Sequence, residues 1–154
     1  MPRYEAAHIN AVSGTCFPAC AVCGSGRDHH DALHAAVPEA MLALQESIRE
    51  HGYTVSRVQR IDVGLTGMGY KTDKYRIVFA GKIDEIREMT RRSPQLAAYL
   101  PPKISIFAES GHTVLVSMNP EIFAEIAGDA IDPVIFDRWS SDLRSIFHDV
   151  NTAN

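Results

Sequence analysis

Between residues 103 and 118 the chain alternates twice about a short break, and few folds accommodate such a pattern. Ile104, Ile106 and Ala108 fall on one side of a strand over Lys103–Ala108, and Val114 and Val116 alternate on the other over His112–Met118. Glu109-Ser110-Gly111 is a connection short enough for a hairpin, with the glycine that a tight reversal favours. A paired, antiparallel element is therefore the anchor for reading everything else.

Around it the periodicity switches between two and 3.6. From Asp31 or Pro38 to His51 the spacing is helical, with Val37, Met41, Leu44 and Ile48 on one face, Pro38 in the first turn and Gly52 just past the end. Tyr53–Val63 predicts a strand carrying Val55, Val58 and Ile61, and Lys74–Ala80 a stronger one with Tyr75, Ile77, Val78 and Phe79. Between them, Gly64 to Tyr70 holds three glycines and predicts a loop, either over a pocket or as a plain connection. Ile83–Tyr99 is helical with Pro94 interrupting it, Glu121–Ala127 is a short helix closed by Gly128, and Ile135, Trp139, Leu143, Ile146 or Phe147 and Val150 mark a last amphipathic helix. Residues 4–12 predict a first strand, and 13–34 a Cys/His-rich loop before a core over 37–128. The order β-α-β-β-α-β-β-α-α in 154 residues predicts a single α+β domain, a two-layer sandwich of a mostly antiparallel sheet with helices on one face.

Composition removes several functions. A net charge of −4 argues against nucleic acid as a partner, since that affinity rests on clustered Lys and Arg; Arg87, Arg91 and Arg92 read as a solvated helix face. No run approaches the ~18 apolar residues of a membrane span, and the first residues lack a secretory signal's apolar stretch, so a cytoplasmic address is expected.

The chemistry concentrates near the start. All three cysteines lie in Cys16-Phe17-Pro18-Ala19-Cys20-Ala21-Val22-Cys23, with Asp28, His29, His30 and His34 close behind. Thiolates and imidazoles converge usefully on a borderline or soft metal, and in a reducing compartment close cysteines serve as ligands or redox thiols rather than as a staple. Cys16, Cys20 and Cys23 with His29 or His30 make a candidate set for zinc or an iron–sulfur cluster. The spacing is also that of radical-SAM enzymes, but 154 residues in this order supply no barrel. Cys20-Ala-Val-Cys23 alone is a dithiol suited to thiol or persulfide transfer, and Gly24 after it disfavours covalent haem attachment. A haem carrier or sensor is the other alternative: His112 and Met118 share a face of their strand, ~20 Å apart, and either can singly ligate iron. Asp62, Asp73, Glu109 and Asp137 are scattered, and neither a nucleophile elbow nor a P-loop is present.

From about Met41 to Pro120 the chain resembles the family catalogued as domain of unknown function 302. The pieces are Glu50-His51-Gly52-Tyr53, Arg60-Ile61-Asp62-Val63, Tyr75-Arg76-Ile77-Val78, Leu96-Ala97-Ala98-Tyr99-Leu100-Pro101 and the hairpin from Ile104 to Met118-Asn119-Pro120, in that order. The resemblance implies a small α+β sandwich that commonly pairs as a homodimer, in bacteria or archaea, near redox or sulfur chemistry and with a possible redox or sulfur-carrier partner. Two positions depart from the pattern. Pro102 stands where many relatives have cysteine, and Asn119 where they have aspartate.

Overall fold

A computed structural model of the chain describes residues 27–69 and 74–153. Five strands, β1 (Asp28–Leu33), β2 (Thr54–Arg60), β3 (Tyr75–Gly81), β4 (Lys103–Glu109) and β5 (His112–Met118), form one sheet. Their order is β1-β5-β4-β3-β2 and every neighbouring pair is antiparallel. The described helices are α1 (Val37–Glu50), α2 (Ile61–Gly67), α3 (Ile83–Arg92), α4 (Ile122–Ala127) and α5 (Val134–Thr152). The expected α+β sandwich is what forms.

The β4–β5 hairpin closes on the pair Glu109 and His112, with Ser110 at φ 51° and Gly111 at φ 84°, the left-handed turn that twisted antiparallel strands favour. Register then decides which side chains meet the helices. Leu33, Val78, Ala80, Ile104, Ile106 and Leu115 all project from one face into a core completed by Leu44 and Ile48 of α1 and by Phe136, Trp139, Leu143 and Ile146 of α5. α1 starts with Pro38 in its first turn and stops where Gly52 takes φ 76°, as expected. Pro94 ends α3, and a 3-10 turn over Pro94–Ala98 follows.

Three expectations are corrected. The predicted strand over 4–12 lies outside the described residues, whereas Asp28–Leu33, expected as loop and helix start, is an edge strand. Its inward positions carry His29 and Asp31 as well as Leu33, so it shows no apolar alternation, and polar residues on an edge discourage pairing with another chain. Second, the strand expected to reach Val63 ends at Arg60. Third, Gly64 to Gly67 is helix rather than loop, and Asp62, in the first turn of α2, accepts a hydrogen bond from Arg76 Nη1 of β3 that ties the helix to the sheet.

Candidate functional site

The start of β1 is where chain, sheet edge and helices converge. Alternation sends neighbouring histidines to opposite faces. His29 pairs in register with Ser117, whose neighbour across β4 is the buried Ile104, so its ring lies on the helix-covered face. There its Nε2 sits 3.1 Å from Ser140 Oγ of α5, and Ser140, fully buried, accepts a hydrogen bond from Arg144 Nη1 at 2.8 Å. Burial first, and the Arg144 charge second, hold the imidazole below its ordinary pKa, against a hydrogen bond with Asn119 and the pull of Glu121. A neutral His29 accepting from Ser140 fits that environment.

His30 points the other way. It pairs with Val116, is exposed, and makes no hydrogen bond to a described residue. Asp28 stands opposite Met118 on the same face, and the Arg27 carbonyl accepts a hydrogen bond from the Asn119 N–H at 2.7 Å, pinning the entry of the chain to the end of β5. Beside that entry runs a groove of about 260 Å³ lined by Asp28, Lys103, Ser105, Val116 and Met118, with Tyr99 and Phe123 at its edge. Cys16, Cys20 and Cys23 lie outside the described residues.

His112 and Met118 stand at opposite ends of β5 as the spacing requires, both exposed, and the structure brings no shared ligand position between them. His112 instead lies against His34, ring centroids 5.0 Å apart. Among the described residues no three His, Cys, Asp or Glu side chains are grouped to hold a metal ion.

Two polar clusters were invisible in the spacing because each spans elements about 50 to 100 positions apart. Asp149 of α5 accepts from Ser47 Oγ at 3.0 Å and lies 2.8 Å from His51 Nε2; these two hydrogen bonds hold its carboxyl below the usual range. Asp142 accepts from Tyr53 OH at 2.8 Å and from Lys82 Nζ at 3.3 Å, while Lys82 lies over the Tyr53 ring. Burial, then Asp142, pushes the Tyr53 phenol up, so it stays a donor. Next to it, Trp139 Nε1 and Arg138 both donate to Glu85. Every partner is engaged and the cavity beneath, against Trp139, holds about 20 Å³, room for one water; this cluster ties α5 to β2 and α3.

Comparison with known proteins agrees with the architecture. The family described as domain of unknown function DUF302 matches residues 30–148. A solved structure, that of an uncharacterized conserved DUF302 protein from Bacillus stearothermophilus, superposes with a TM-score of 0.72 at 16% identity, over 80% of this chain and 97% of that one. At that identity the likeness is one of fold. No curated protein matches the sequence.

Proposed function

This chain belongs to the DUF302 family, and on that footing we propose that it is a metal- or cofactor-binding protein of redox or sulfur metabolism, holding zinc or an iron–sulfur cluster through Cys16, Cys20 and Cys23. The observation that carries the reading is the division of labour on β1. His29 is engaged by Ser140 and Asn119, whereas His30 is exposed, has no side-chain partner among the described residues and stands only seven residues after Cys23. His30 is therefore the imidazole left over to complete a three-thiolate set, and Asp28 beside it adds a negative charge. Zinc would supply a structural tie there, and a cluster would supply one-electron chemistry.

Protein purified anaerobically without added metal tests this directly. The expected result is close to one equivalent of zinc, or iron with sulfide and a brown chromophore, reduced in His30→Ala and retained in His29→Ala. Less than about a tenth of an equivalent of either metal would remove the proposal, because a site coupled to folding retains its ion.

The groove by Met118 supports the haem alternative only as a place for an apolar group, and a Soret band lost in Met118→Ala or His112→Ala would favour it. A Cys20–Cys23 persulfide carrier would instead show an extra sulfur by mass after thiol trapping. Pairing of two chains is part of the proposal as well. The face of the sheet away from the helices presents Tyr75, Ile77, Phe79, Phe107 and Val116, none of which joins the core, and a second copy is the occupant proposed for it. A cytoplasmic setting, with thiols kept reduced, suits the same reading.

A further inference from the structure

Two histidines meet at the end of β5 remote from the chain entry. Leu33 faces Thr113, so one further step of antiparallel pairing sets His34 against His112. Their rings lie 5.0 Å apart between centroids, at 66°. Both are exposed, and neither side chain makes a hydrogen bond to a described residue. Glu109, also exposed, faces His112 across the hairpin.

We propose that His34 and His112 form a two-imidazole site for a borderline divalent cation of the Zn²⁺ type. The separation is one that a shared ion would allow. With Zn–N of about 2.1 Å and a ring radius near 1.1 Å, each centroid stands about 3.2 Å from the metal, and a tetrahedral angle then places the two centroids about 5.2 Å apart. Neutral imidazole is the donor such ions favour, and the Glu109 carboxylate adds an attractive field. No third His, Cys, Asp or Glu among the described residues completes the group, so the pair alone is the site proposed. The site as proposed uses none of the cysteines.

The test is calorimetric titration of Zn²⁺ into the full chain carrying C16S, C20S and C23S, which silences the thiolates. Losing even a group that merely orients a ligand costs about 10–100-fold in metal affinity, so H34Q and H112Q should each weaken Kd by at least about tenfold. H148Q, an exposed imidazole elsewhere, should leave it unchanged. Imidazole ring protons of His34 and His112 should shift together as Zn²⁺ is added. An unaltered Kd in either H34Q or H112Q, with folding confirmed by circular dichroism, overturns the site, as does equal weakening in H148Q. Neither outcome bears on the metal content of the wild-type chain, which reports the cysteine site.

Discussion

The two faces of the sheet carry apolar residues in similar number and use them differently. On one, Ile104, Ile106, Leu115 and Val78 are sealed under α1 and α5. On the other, Ile77, Phe79, Phe107 and Val116 are only half covered, with Tyr75 and Phe107 meeting edge to face at 5.6 Å. The same residue types are thus sealed on one side and half-buried on the other. Antiparallel sheets tolerate this asymmetry because one packed face suffices to hold them. The histidines of β1 repeat it in miniature, His29 being absorbed into the fold and His30 left over.

The largest test exploits a matched pair. Ile106→Ala removes a side chain with no exposure and should cost about 2–5 kcal/mol in urea unfolding, whereas Ile77→Ala, one strand away on the other face, should cost about 1 kcal/mol or less at low protein concentration. If Ile77→Ala costs as much as Ile106→Ala in dilute protein, the second face is not spare. If its cost instead grows with protein concentration in step with sedimentation-detected pairing, a second copy covers it.

A smaller effect separates the two histidines. Ser140→Ala leaves the His29 Nε2 and the Arg144 guanidinium without their shared hydroxyl, and the loss of such partly buried hydrogen bonds should cost about 0.5–1.5 kcal/mol. His30→Ala, with no side-chain partner among the described residues to lose, should fall within about 0.5 kcal/mol of the parent in the absence of metal. Equal costs for the two would mean that His30 is structural.

Most of the architecture was legible because it rests on local signals: the alternation of Ile104, Ile106 and Ala108, the apolar spacing of α1 and α5, and Pro94 as a stop. What escaped had no such signal. β1 turns a histidine and an aspartate inward where a strand ordinarily shows Val or Ile, and α2 is tied to the sheet by Asp62 and Arg76, a partner 14 residues on, while Gly64 and Gly67 do not favour helix. For the site, the sequence marks His29 and His30 only as neighbours. Assigning one to each face needed the register with β5, which alternation supplies only once β1 is known to be a strand. The meeting of His34 with His112 needed that same register.

The smallest expected effect is a slope in pH. His29 is held below its free value of 6.5, so the unfolded chain binds a proton more readily than the folded one between that value and the lowered one. Stability is therefore full above pH 6.5, falls as pH drops from 6.5 toward the folded pKa, and levels off below it. His29→Gln should flatten that segment of a urea-midpoint profile. Asp149 acts in a separate and more acidic window: its carboxyl is depressed by His51 and Ser47, so its contribution is present above the free value of 3.8 and lost as pH falls through the lowered one. A profile whose near-neutral slope survives His29→Gln would place the titrating group elsewhere, and the contact between β1 and α5 would then have to be held by packing alone.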